Sequence, residues 1–402
     1  MQMGDIYKNA ACIIAASGAA NGDVGCFFER DQTLLAPRKV PGRNTKDGKI
    51  MSCIDPCIWL DHIENGPLNL RGWVVQEMFL SPRIIHFGQQ QIFYTCREVE
   101  VCEVYPHGIP PEVGIKKGDL HMASNQLYES SSDYNWYMEI CSKVAKEYSS
   151  RLLTKGEDKL VALSGLAKEI ESRTGDDYLA GLWRRSLPTS LLWAVSDTKN
   201  NGRRRFPGYR APSWSWAALD GSIMLDFHHK HPSHANHLLA EVQEANVTSV
   251  IGHVMTQVSD GLICLKGRLT SCSCVWSTDA FPSWILYVDT AKGKQTSYGA
   301  ELDEDRASKA AVRNLYCVPI LLSISKAYSS NEVSPVTDCL LLQYDQEQKK
   351  FTRFGTYSTG RANDFDHDEI RDACDFFDAS TSRDDWEYEG TDEGKKYLIT
   401  II

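Results

Sequence analysis

No long apolar run appears in this chain. No stretch reaches the roughly 18–20 apolar residues that a membrane-crossing helix needs, so no membrane span is expected. Positive charge is not in excess: 43 Lys and Arg face 53 Asp and Glu, a formal net charge of -10. Nucleic-acid binders usually carry a basic stripe. The one basic run here, Arg203-Arg204-Arg205, sits between Gly202 and Pro207 and reads as a solvated loop, so no nucleic-acid partner is expected. The 13 cysteines lack the spacing of a disulfide framework. No secretory leader precedes the first apolar run, Ala10–Ala16, and Gln2 excludes a myristoyl signal. The tail Leu398-Ile399-Thr400-Ile401-Ile402 has no cysteine for prenylation. Reduced thiols in the cytoplasm fit this pattern. No phosphate-binding loop is present, since Gly18, Gly22 and Gly25 do not match a dinucleotide fingerprint. There is no internal repeat and no low-complexity tract beyond Ser130-Ser131-Ser132.

What is there is globular. The chain has 402 residues, 42% hydrophobic and 24% charged, enough for two or three domains of roughly 100–200 residues each. Met3–Ala10 has a short helical pattern, and Cys12–Ala16 reads as a strand buried on both faces. Such a strand needs neighbours on both sides. Leu70, Trp73, Val74 and Glu77 share one helix face. Ser81-Pro82 stops that helix, and two short strands follow around Gly88. Residues 99–132 lack periodicity and hold Pro106, Pro110 and Pro111, a linker. Asp133 can cap a helix whose apolar face is Trp136, Ile140, Cys141, Val144 and Tyr148. A second helix is expected from Glu157 to Arg173, and a third from Tyr178 to Trp193, broken at Pro188. Beyond residue 210 short apolar runs alternate with turn residues: Gly261–Gly267, Trp284–Val288, Leu315–Leu322, Cys339–Tyr344 and Tyr397–Ile402.

Several clusters have the residue types of metal sites. His228, His229, His231, His234 and His237 crowd one stretch, yet Pro232 and the lack of a cysteine partner favour a polar loop. Cys53-x3-Cys57 and Cys272-x-Cys274 are half-sites without a second pair at zinc spacing. Asp364, Asp366, Asp368 and Asp375 echo part of a calcium loop, but Glu369 stands where the sharp turn wants glycine. No metal is expected from any of them.

Four stretches resemble the fungal heterokaryon-incompatibility (HET) domain family. They are Met3-Gly4-Asp5-Ile6-Tyr7-Lys8-Asn9-Ala10 with Ile13–Ala16; Arg71-Gly72-Trp73-Val74-Val75-Gln76-Glu77 with Leu80–Arg83 and Phe87; Tyr178-Leu179-Ala180-Gly181-Leu182-Trp183 with Leu191-Leu192-Trp193; and Tyr209-Arg210-Ala211-Pro212-Ser213-Trp214-Ser215-Trp216-Ala217. The family motif residues are therefore Arg71, Trp73, Gln76, Glu77, Arg210, Pro212, Trp214 and Trp216. The strands with which the family's HET domain normally begins are not in this sequence, so the resemblance implies a domain shortened at its N-terminal side. It implies a mixed α+β fold: the second half of an α/β, TIR-like HET domain over 1–98, a linker over 99–132, a helical region over 133–200 and a β-rich region over 201–402.

The function implied is self/non-self recognition and programmed cell death, exerted through protein partners such as another incompatibility protein, with no cofactor. The alternatives are NAD cleavage centred on Glu77, with NAD as substrate, and an inactive fragment of a longer protein. Glu77 is the candidate catalytic residue. Its helical spacing places a carboxylate on an apolar face, which is costly unless it is paired. The plainer reading is an ion pair with Arg71 or Arg83; the sharper one is a general base or a ribose-binding acid. Trp214 and Trp216 read as packing residues before a ligand platform, with Arg210 pinning the segment to an acidic neighbour.

Overall fold

A computed structural model describes residues 3–31, 38–41, 50–53, 55–110, 134–196, 204–225, 235–250, 257–278, 283–290, 293–304, 310–326, 333–359, 388–391 and 394–402. They form two compact units, Met1–Ile170 and Glu171–Ile402.

In the first unit, α1 (Met3–Asn9) leads into β1 (Ile13–Ala15). An antiparallel hairpin follows, β2 (Arg38–Pro41) with β3 (Ile50–Cys53). Next come α2 (Gly72–Leu80), β4 (Arg83–Phe87), β5 (Ile92–Cys96) and β6 (Glu100–Cys102). Then α3 (Tyr134–Ser149) precedes α4 (Ser164–Thr174). The sheet order is β1-β4-β5-β6, with β1 parallel to β4 and the other pairs antiparallel. Pro82 denies α2 a further turn, and the chain reverses directly into β4.

One face of this sheet is buried. It carries Ala15, Ile84, His86, Phe93, Thr95 and Cys102. His86 is only 1% exposed, and a buried imidazole must have its ring nitrogens matched. Ser17 Oγ lies 3.0 Å from Nδ1 and Thr95 Oγ1 3.5 Å from Nε2. Trp59 meets His86 and Phe93 edge-on. The helices contribute Val74, Val75, Phe79 and Leu80 from α2 and Ile140, Val144 and Tyr148 from α3. Contrary to the doubly buried strand expected at Cys12–Ala16, β1 is an edge strand among the described residues, and Ile14 is 69% exposed.

The second unit opens on three short pairings. β7 (Tyr178–Leu179) and β8 (Leu182–Trp183) form a hairpin. β9 (Ala194–Val195) pairs with β12 (Ile223–Met224), and β10 (Arg204–Arg205) with β11 (Leu219–Asp220). Long strands follow. They are β13 (Ala235–Leu238), β14 (Glu241–Ser249), β15 (Val258–Gly267), β16 (Thr270–Ser277), β17 (Ser283–Thr290) and β18 (Gly293–Leu302). After them come β19 (Val312–Lys326), β20 (Val333–Asp345), β21 (Lys350–Ser358), β22 (Tyr388–Thr391) and β23 (Gly394–Ile401).

Six of these strands close on themselves in the order β16-β17-β18-β21-β20-β19 and back to β16. Closure removes the sheet edges. The interior is filled rather than hollow. Cys272, Cys274, Leu286, Leu315, Cys317 and Leu341 are among its buried side chains, with Trp276 and Trp284 edge-to-face at 5.4 Å.

This overturns the mixed α+β, TIR-like class. The chain is mostly β, 41% strand against 26% helix, built around a closed six-strand barrel. Two helices expected from sequence also change. Tyr178–Trp193 is a hairpin followed by 3-10 turns, because Ala180 (φ 46°) and Gly181 (φ 100°) make a tight turn that no helix admits. The stretch from Glu157 begins with two 3-10 turns and becomes α-helical only at Ser164.

Candidate functional site

The Arg-x-Trp-x-x-Gln-Glu motif lies at the start of α2. Arg71 precedes the helix and is exposed; Trp73 and Glu77 are half-buried, and Gln76 is buried. The motif's polar groups turn inward, toward α1 and α4. The Tyr7 hydroxyl of α1 donates a hydrogen bond to Glu77, and the Arg71 charge attracts the same carboxylate. Arg83 is engaged elsewhere, its guanidinium donating to Ala11 O at 3.4 Å. Burial raises the Glu77 carboxyl above its ordinary range, against the lowering pull of Tyr7 and Arg71. Burial, then the hydrogen bond to Glu77, pushes the Tyr7 phenol up to about 12. At neutral pH this phenol is a donor and not an acid.

Gln76 acts as a clamp. Its Oε1 accepts from Gly165 N at 2.8 Å. A Cβ at Gly165 would stand 2.6 Å from that oxygen and 3.0 Å from Gly4 Cα, so the backbones of α1 and α4 approach as only glycines allow. Lys8 of α1 bonds Glu169 of α4 at 2.6 Å. α1 buries no residue of its own; these contacts hold it. Tyr7 could not have been singled out from sequence, since its role comes from a contact 70 positions away with no periodic signal.

The sign of the Glu77 shift has a measurable consequence. A carboxyl with a raised folded pKa contributes stability below its unfolded value, about 4.3 for Glu, and loses it as pH rises through the folded value. Compared with Glu77→Gln in urea melts across pH, the native protein should have its largest advantage in acid. An advantage that grows toward neutral pH would contradict burial as the dominant effect.

The second motif, Arg210 to Trp216, is equally occupied. Arg210 is 6% exposed. It donates to Ala217 O (2.6 Å), Leu219 O (2.8 Å) and Asp220 Oδ1 (2.8 Å), and stacks over Phe206. Trp216 Nε1 donates to Gly181 O at 2.8 Å, and Ser215 Oγ to Ala180 O. The fourth stretch thus captures both carbonyls of the tight turn in the third. Pro212 and Trp214 pack on Gly261 of β15, where a Cβ would stand 2.6 Å from Pro212 Cγ. Trp193 Nε1 donates to Trp214 O at 2.9 Å.

Sequence inspection missed a buried ion pair of this unit. Arg353 is 1% and Asp303 3% exposed. The Arg353 guanidinium donates to Asp303, to Leu191 O and to Trp193 O, and lies 3.3 Å over the Trp193 ring. Burial raises the Asp303 carboxyl, and the Arg353 charge opposes that rise.

Of the metal candidates, His228, His229, His231 and His234 lie outside the described residues, as do Asp364, Asp366, Asp368, Glu369 and Asp375; His237 is exposed on β13. Most of the 99–132 linker also lies outside them. Cys272 and Cys274 are buried in the barrel. Cys57 gathers with Asp55 and Asp61, their ligand atoms within 4.8 Å of one another; the side chain of Cys53 is not described. Among the described residues no helix is long and apolar enough to cross a membrane.

These features define a β-barrel protein that carries a small helix-and-sheet unit clamped by a Gln-Glu motif. The family model for heterokaryon incompatibility protein (HET) matches residues 1–77, which end on that motif. Over those residues the chain is similar to the HET family. No curated protein and no solved structure matches it.

Proposed function

We propose that the protein works in fungal heterokaryon incompatibility, as a cytoplasmic self/non-self recognition component that promotes or regulates programmed cell death through contacts with other proteins. The HET match over residues 1–77 carries this reading. The geometry supports contact rather than chemistry. Gln76 is bonded to Gly165, Glu77 to Tyr7, and Arg210 to three acceptors within ten residues. Motif side chains engaged in this way hold a scaffold, leaving the surface to act.

Inducible expression in a fungal host, with viability as readout, tests this. Glu77→Gln keeps an oxygen that can accept from Tyr7 and should leave the death phenotype unchanged. A Glu77→Gln protein that melts normally yet no longer affects viability would overturn the reading and point to a catalytic carboxylate.

A further inference from the structure

Two thiols, a phenol and a guanidinium gather on the outward face of the first unit's sheet: Cys12, Cys96, Tyr94 and Arg83. Register brings them together. Ile13 lies beside Ile84, and Arg83 pairs with Cys96 across β4 and β5. One step back from Ile13, Cys12 therefore falls beside Arg83. Register partners share a face, so this row of three points one way. Tyr94, two residues before Cys96 on β5, shares that face. The charges of Cys96, Arg83 and Cys12 all reach the Tyr94 phenol.

The two thiols of the row are not equivalent. Cys12 is exposed, and its thiol donates to Ile13 O at 3.6 Å. Cys96 is half-buried, and its sulfur is an acceptor. Val99 N donates to Sγ at 3.4 Å, and the Tyr94 hydroxyl donates to it as well. Burial, then this hydrogen bond, raise the Tyr94 phenol above its ordinary value, so it keeps its proton at neutral pH. The Arg83 guanidinium, which donates to Ala11 O at 3.4 Å, adds positive charge beside the row. Reactive sulfurs attack as thiolates and sit in partly exposed sites lined by donors and positive charge. Cys57, by contrast, gathers with Asp55 and Asp61, whose carboxylates repel a thiolate. Cys272, Cys274, Cys317 and Cys339 are sealed inside the barrel.

We infer that Cys96 is a site of oxidation by a peroxide, which takes its thiol to the sulfenic acid. The sulfur attacks one peroxide oxygen, and the S–O bond forms as the O–O bond breaks. Sulfur is oxidised by two electrons. With hydrogen peroxide the other oxygen leaves as water, carrying the proton that the thiol gave up. Negative charge on the sulfur is met by the Val99 N–H, the Tyr94 hydroxyl and the Arg83 charge. Cys12 does not close a disulfide on the product. It lies across β4 from Cys96, two strand spacings of about 4.8 Å away. A disulfide spans no more than roughly 7 Å between Cα atoms. The sulfenic acid is therefore left for a small thiol to cap. This inference goes beyond the functional reading above, which names no chemistry.

Brief exposure of the purified full chain to hydrogen peroxide tests it, with dimedone to trap sulfenic acid and peptide mass spectrometry to locate it. Cys96 should carry the adduct first, ahead of the more exposed Cys12. Tyr94→Phe and Arg83→Gln should each slow the Cys96 reaction by about tenfold, the loss of one contact to a charged group. Tyr94→Phe should leave the Cys12 rate unchanged. Circular dichroism checks that both variants fold. Tyr94→Phe removes a single hydroxyl, and it carries the test if Arg83→Gln does not fold. Label that appears first at another cysteine, a Cys12–Cys96 disulfide in place of the adduct, or a Cys96 rate that neither variant lowers overturns the inference. The adduct is read on the chain itself, so its absence leaves the cell-death reading standing.

Discussion

Replacing Arg353 with leucine should lower the unfolding free energy by about 3–5 kcal/mol, the range for removing one partner of a buried ion pair. The substitution leaves the Asp303 carboxylate, 3% exposed, without its bonded counter-charge and with only the weaker pull of Arg205. That carboxylate is already under-satisfied, since its Oδ2 has no hydrogen-bond partner. The same change strips donors from Leu191 O and Trp193 O and removes the cation stacked on the Trp193 ring. Urea denaturation followed by tryptophan fluorescence reads the loss, because Trp193 sits in the disturbed shell. Removing both charges together, Arg353→Leu with Asp303→Leu, should recover a large part of it, as apolar replacement of a whole buried pair often does. A single variant within about 1 kcal/mol of the native protein would show that the pair contributes little to the fold.

The barrel and this ion pair were legible to very different degrees. The five apolar runs between Gly261 and Ile402 are all strands, because β-branched and aromatic residues between turn signals carry a local message. Closure carries none. It depends on which strand lies beside which, and β18 meets β21 across fifty positions through two residue pairs. Arg353 and Asp303 are likewise fifty apart, and a charged residue in an alternating strand reads as solvent-facing until the partner is seen. The Tyr178–Trp193 stretch misled for a different reason. Its leucines and tryptophans fit a helix by hydrophobicity, while the deciding feature was the Ala180-Gly181 turn. In the first unit the helix carrying Trp73, Val74 and Glu77 was readable, but Leu70, expected on the same face, lies in the 3-10 turn before it and is exposed. That Tyr7 is bonded to Glu77, and that Gln76 holds Gly165, was not, since helix-to-helix contacts leave no trace in local spacing.

Gly355→Ala should open the barrel at its narrowest seam. β18 and β21 pair only at Glu301 with Thr356 and Leu302 with Gly355, and Asp303 N donates to Phe354 O at 3.0 Å just beyond. A Cβ on Gly355 falls on the Glu301 carbonyl oxygen and 3.0 Å from Leu302 Cα. Both are backbone atoms, so no side chain can swing aside. The other flank offers no relief, because β21 is also paired along its length to β20 through Leu341 and Leu342. Relief requires β18 to move as a unit, at about 1–3 kcal/mol or more for an overpacked site. Such a shift carries Asp303, the residue after Leu302, away from Arg353. The two effects therefore share one cause, and Gly355→Ala combined with Arg353→Leu should cost less than the sum of the single changes. Hydrogen exchange checks the location: β18 amides should lose protection while those of β19 and β20, joined by eleven register pairs, keep theirs. If Gly355→Ala melts with the native protein and β18 stays protected, the seam is not what closes the barrel.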